Sequence, residues 1–274
     1  MKKLIVCGCS YSADSSKPEL KGTGYGHQLA QRLGWDVQIL ARQGCSNGGI
    51  RIQIDEVIRQ RPAFAIIAPT FHDRMEIPAK AAPYDFKKNQ EGPLGWDNFF
   101  EKHLRKSHRN GYAPAAGIDN VNYGNNPYRM ICETMFTLAE NIKNEYRSVR
   151  LDDGTTKAMK EYINYLYDSD WKLQKDRWMM RDGIMQLYYA NIPFLLVANN
   201  LWNVDTVRQE MPAVLPDRYM TLRQEHTPAH ATTIYPIKGD NFKNDPGYHG
   251  DPESQQYLAD IYYQIITKEF GIAP

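Results

Sequence analysis

No apolar run in these 274 residues approaches the ~20 needed to cross a bilayer as a helix, so a soluble chain is expected. An excess of one charge is also missing, since 33 Lys plus Arg face 32 Asp plus Glu. Without a net field, neither nucleic acid nor an anionic membrane is expected as a partner. Cysteine is scarce: Cys7, Cys9, Cys45 and Cys132 are too few and too scattered to frame a small disulfide fold, which favours a reducing, cytoplasmic setting. Cys7 and Cys9 form a Cys-x-Cys pair, but with no second pair elsewhere they read as buried thiols, and no metal site is expected. His226 and His230 stand four apart, yet Pro228 between them argues against the helix that would align them on a metal. There is no internal repeat and no low-complexity tract. The densest basic cluster, "EKHLRKSHR" at 101–109, reads as a solvated helix face. The opening "MKKLIVCGC" begins like a secretory leader, but its apolar part is shorter than the ~7–15 residues of such a segment, so it is read as a first strand.

What is present is alternation. "LIVCGC" spells a strand; "KGTGYGHQLAQRLG" spells a glycine-rich loop and a helix over about 25–33, stopped by Gly34. "DVQILA" has the alternation of a second strand, and "SNGGIRIQIDEVIRQR" supplies a loop and a helix ending before Pro62. "AFAIIAPT" is a continuous apolar run, as a strand buried on both faces requires. Strand, helix, strand, helix, strand predicts a parallel sheet with helices on both faces. "IPFLLVAN" at 192–199 reads as a fourth strand and "ATTIYPI" at 231–237 as a fifth. The chain closes on a helix with Asp251 as N-cap and Pro252 at its first position. One elaborated domain over 1–274 accommodates all of this, with an insertion at about 77–190. Up to about residue 127 the insertion is rich in Gly, Pro, Asn and Tyr and reads as irregular. Beyond, Ile131, Met135, Leu138, Ile142 and Tyr146 recur at helical spacing, as do Met159, Tyr162, Ile163 and Leu166, and later Trp171, Trp178, Met185 and Tyr188, and all three stripes read as core packing.

Open parallel sheets bind ligands outside the carboxyl ends of their strands. Here those ends carry "GCSYS", "ARQGCSN" and "TFHDR", which are expected to converge. Ser10 offers a hydroxyl that a base could activate, Gly44 lets a backbone N–H approach a substrate oxygen, and Thr70, His72 and Asp73 add polar side chains. The base comes from "NDPGYHGDPES", where His249 stands just before the final helix and Asp245 four residues earlier, across a Pro-Gly turn. A carboxylate so placed can fix the tautomer of the imidazole and stabilise its protonated form.

In these blocks the chain resembles the SGNH, or GDSL-type, hydrolases, serine esterases with a flavodoxin-like three-layer α/β/α fold around a central parallel sheet. The resemblance spans about the first 75 residues and the last 40. It implies Ser10, in Gly8-Cys9-Ser10, as nucleophile with its own N–H in the oxyanion hole. Gly44 becomes a second oxyanion donor, His249 the base and Asp245 its partner. Cys9 stands where the family carries aspartate, and Asp245 lies four residues before the histidine where the family has three. "APTFHDR" lacks the family's Gly-x-Asn-Asp, which leaves the side-chain oxyanion donor to Thr70, His72 or Asn47. The implied activity is hydrolysis of a small-molecule or glycan ester through an acyl-enzyme, O-acetyl groups of a carbohydrate being the preferred substrate, with no cofactor.

Three other readings stay open at this stage. A binding or structural protein could keep the fold without turnover, and the divergent third block favours it. A nucleotide site at "GTGYG" is weaker, because those glycines do not directly follow a strand. Within the enzyme reading, Cys9 is a rival nucleophile and His72 a rival base.

Overall fold

β1 (Lys3–Cys7) is the centre from which the sheet grows. It pairs in parallel with β2 (Asp36–Ile39) on one side and β3 (Phe64–Ile67) on the other. β3 pairs with β6 (Phe194–Leu196), and β6 with β7 (Met220–Leu222), both again in parallel. The order is therefore β2-β1-β3-β6-β7, the 2-1-3-4-5 order of flavodoxin-like folds when the sheet strands are counted along the chain. The computed structural model describes residues 2–9, 11–14, 20–41, 45–72, 74–78, 130–134, 158, 161–162, 165–197, 201–202, 210, 220–222 and 252–272.

Successive residues of a strand face opposite sides, and each side of this sheet is covered. Ile5, Cys7, Ala65, Ile67, Phe194 and Leu196 point to one core with α2 (Asn47–Gln60) and α3 (Ser169–Tyr189). Leu4, Val6, Phe64, Ile66, Leu195 and Val197 point to the other with α1 (Tyr25–Leu33) and α4 (Pro252–Glu269). On that second side Tyr25 meets Tyr262 edge to face at 5.3 Å and Phe64 meets Phe270 at 4.9 Å. Two buried faces explain why β3 reads as an unbroken apolar run. The result is the expected three-layer α/β/α architecture. No helix among the described residues is long and apolar enough to cross a membrane.

The helices start and stop where local chemistry dictates. α1 ends at Gly34, whose φ of 65° lies in the left-handed region, and the N–H of Trp35 donates back to the Ala30 carbonyl. Ser46 caps α2 by accepting from the Gly49 N–H. α2 stops at Arg61, one residue before Pro62. Asp168 caps α3 by accepting from Trp171 N–H at 2.7 Å.

Two expectations change, and one strand is added. The stripe that begins at Ile131 does not open a helix: Met130–Thr134 is a strand, β5, antiparallel to β4 (Arg74–Pro78), with Ile131 opposite Ile77. A pairing across more than fifty residues overrides the local period, and Met135, Leu138, Ile142 and Tyr146 lie outside the described residues. Met220–Leu222 is a strand of the sheet that the sequence reading did not name, and the expected strand at 231–237 lies outside the described residues. On α3, Trp171 and Trp178 are 55% and 43% exposed and stack edge to face on the outer surface. The buried face of α3 runs through Lys172, Asp176, Met180, Gly183, Ile184 and Leu187. Two charged residues open that face, so an apolar-only reading misses it at Trp171 and Trp178, while Met185 and Tyr188 of the expected stripe do pack against the core. Leu166, also expected in the core, is exposed.

Candidate functional site

From β1 the chain crosses to β2 at the edge of the sheet, and from β3 it proceeds the other way to β6. Connections that diverge in this way leave a crevice between the carboxyl ends of β1 and β3, where open α/β sheets bind ligands. The loops that flank it touch. A Cβ on Gly8 would lie 2.8 Å from Ser12 Oγ of its own loop and 3.2 Å from the Ala68 carbonyl oxygen of the other, so the tight turn after β1 requires glycine there and the second loop packs closely against it. After Gly8 the chain reverses at once, with the N–H groups of Ser12 and Ala13 both donating to the Cys9 carbonyl.

Both loops are held from α2 by side-chain amides. Gln53 Oε1 accepts the Gly8 N–H at 2.7 Å, while its Nε2 donates to the Gly8 carbonyl at 3.2 Å and approaches Cys45 Sγ at 3.4 Å. Asn47 does the same for the loop after β3: Oδ1 accepts the Thr70 N–H at 2.9 Å, and Nδ2 donates to the Thr70 carbonyl at 3.0 Å. Beyond Ala68, whose N–H still reaches the Cys7 carbonyl, the chain has left the ladder. The amides satisfy backbone groups that burial would otherwise leave bare. Asn47 also donates through Nδ2 to Asp176 Oδ2 at 2.8 Å, and Asp176 Oδ1 takes a 2.5 Å hydrogen bond from Lys172 Nζ. Asn47, Thr70, Lys172 and Asp176 are all at most 5% exposed.

This geometry sorts the expected side-chain donors. Both amide hydrogens of Asn47 are engaged within the protein, so its role here is to clamp Thr70. Thr70 keeps one polar group in reserve, since its buried Oγ1 has no hydrogen-bond partner among the described residues. His72 Nε2 lies 2.9 Å from Ser169 Oγ at the start of α3, tying the end of the β3 loop to that helix. Burial, with Glu56 adding a like charge, pushes the Cys7 thiol up and holds it un-ionised. Cys9 and Cys45 are also buried, and neither forms a disulfide among the described residues.

Ser10, Gly44, Asp73, Asp245 and His249 lie outside the described residues. Their described neighbours are Cys9 and Tyr11, Ala41 and Cys45, and the start of α4. That last element is fixed at the same edge: Gln255, in the first turn of α4, accepts the N–H of Tyr25 at 2.9 Å, at the first residue of α1. Sequence reasoning missed Gln53, Lys172, Asp176 and Gln255. A glutamine in a helix and a Lys-x-x-x-Asp spacing are ordinary surface features, and only the fold turns them inward.

No family model matches the chain, and no curated protein does. Among solved structures it is similar to an acetyl xylan esterase (Est2A) from the rumen bacterium Butyrivibrio proteoclasticus, with 11% sequence identity and a TM-score of 0.46. The alignment covers 99% of this chain, which spans 65% of that one.

Proposed function

We propose that this chain is a serine ester hydrolase working at the crevice between β1 and β3. Ser10, just past β1, is the nucleophile; His249, before α4, is the base; Asp245 orients it. The oxyanion hole combines the N–H groups of Ser10 and Gly44 with the Thr70 hydroxyl. The observation that carries the reading is the bond from Tyr25 N–H to Gln255 Oε1. It anchors a residue six positions after His249 at the start of the helix that follows the Ser10 loop, so the two distant segments have a reason to meet.

In this mechanism Ser10 Oγ attacks the ester carbonyl carbon while His249 takes its proton. The carbonyl oxygen, now negative, is met by donors already oriented for it. Collapse expels the alcohol with the proton carried by His249, and water, deprotonated by the same imidazole, releases the acid from Ser10. The substrate class to assay first is an O-acetylated carbohydrate, the family-based part of the proposal.

The test needs no knowledge of the substrate. A phosphonate ester probe traps an activated serine, because the adduct carries oxygen where the tetrahedral intermediate would. Labelling is expected at Ser10 by peptide mass spectrometry, absent in Ser10→Ala and strongly reduced in His249→Ala. An unlabelled Ser10, in a tube where a known serine esterase reacts, overturns the proposal in favour of a binding protein on the same fold.

A further inference from the structure

We infer that Lys172, Asp176 and Asn47 form a positioning relay that sets the Thr70 hydroxyl at the crevice. The role of that hydroxyl as an oxyanion donor rests on the esterase reading above; the relay itself rests on hydrogen bonds. Past Ala68 the β3 loop leaves the strand ladder, Pro69 has no N–H to offer, and the Thr70 backbone is held by the Asn47 side chain through both its polar groups. An amide can be turned end for end. In this one, the second Nδ2 hydrogen goes to Asp176, an acceptor-only carboxylate, so the reversed orientation would set oxygen against oxygen.

Asp176 therefore reinforces the orientation of Asn47 that the Thr70 N–H and carbonyl also require, and Lys172, one helical turn away, holds the other Asp176 oxygen at 2.5 Å. A buried ion pair is a poor source of stability in itself, because both ions give up water to form it. Its place here makes sense if orientation is the gain. The chain of contacts runs from α3 through the N-terminus of α2 to the β3 loop. Its end is a residue whose backbone is fully engaged and whose buried hydroxyl has no partner among the described residues.

The experiment compares two double variants. Lys172→Met/Asp176→Leu removes charge and acceptor together, whereas Lys172→Met/Asp176→Asn removes the charges but keeps an oxygen for Asn47 Nδ2. Both are expected to fold with melting temperatures near or above wild type; Lys172→Met/Asp176→Ala substitutes for the first if leucine is too large. In the leucine variant the Thr70 amide is expected to exchange with deuterium roughly tenfold faster by NMR, as a local opening would allow. The kcat on p-nitrophenyl acetate is expected to fall on the order of 10- to 100-fold with KM unchanged, the loss that a small misplacement brings. The asparagine variant is expected to restore both within about threefold.

Equal Thr70 exchange in the two variants overturns the relay, whatever the activity. Faster exchange with unchanged kcat overturns the donor role of the hydroxyl. A wild-type protein that neither turns over esters nor takes the phosphonate defeats the esterase reading alone, and Thr70 exchange still decides the relay.

Discussion

Asp176→Ala is expected to cost the fold about 3–5 kcal/mol, the loss seen when one member of a buried ion pair is removed. The cost arises from what remains: Lys172, buried beside α2, loses its carboxylate, and one Nδ2 hydrogen of Asn47 loses its acceptor. Urea unfolding at neutral pH measures it through the transition midpoint. Adding Lys172→Met to the same chain is expected to recover most of the loss, because an apolar side chain has no charge to leave unpaired. A stability loss below about 1 kcal/mol in the single variant would mean that the lysine swings out to solvent and that the pair contributes little.

The second large effect concerns turnover. Ser10→Ala and His249→Ala are each expected to lower kcat on an activated ester by about 10⁴-fold or more, with far-UV and near-UV circular dichroism unchanged. Nucleophile and base act as one unit, so the double variant should be no worse than either single one. That equality is the discriminating result. Two residues contributing separately to substrate binding would show effects that multiply, and they would appear in KM. Asp245→Asn should fall in the same direction, because it leaves the imidazole without tautomer control. Wild-type turnover in that variant would hand the orienting role to another acceptor.

Much of the fold was legible because each feature follows from a local cause. The helix over 25–33 was bounded by Gly34, because glycine takes the left-handed conformation that ends a helix at little cost, and Gly34 has that conformation. β3 announced itself as a buried central strand because both of its faces are covered. The end of α2 was written in Pro62. What failed to read was long-range. Residues 130–134 carry an apolar spacing that suits a helix, and their pairing with 74–78 depends on chain more than fifty residues away. The first half of the α3 face was misphased because Lys172 and Asp176, polar by composition, occupy core positions, while Met185 and Tyr188 were placed on the core side.

The candidate site divides along the same line. Thr70 and Asn47 were identifiable because they follow strand ends, but their division of labour was not. A sequence cannot show that an amide has already spent its hydrogens on a neighbouring backbone. Gln53, which holds Gly8 by both polar groups, carries no sequence signal at all, since its task exists only once β1 and α2 are packed.

Asn47 is followed by Gly48, and that succession bears on how the protein ages. A glycine nitrogen, unshielded by a side chain, can attack the Cγ of a preceding asparagine, expelling ammonia to form a cyclic imide that water opens to aspartate or isoaspartate. In the folded chain the amide is pinned by three hydrogen bonds, and the attack would have to break them. In the unfolded chain nothing resists it. An aspartate at position 47 would meet the Thr70 carbonyl and the Asp176 carboxylate with negative oxygen, so a molecule altered while unfolded could not close the crevice again. Repeated heating should therefore deplete the refoldable fraction in step with a one-dalton gain on the peptide containing residue 47, and an Asn47 peptide that stays unaltered through such cycles would refute the link.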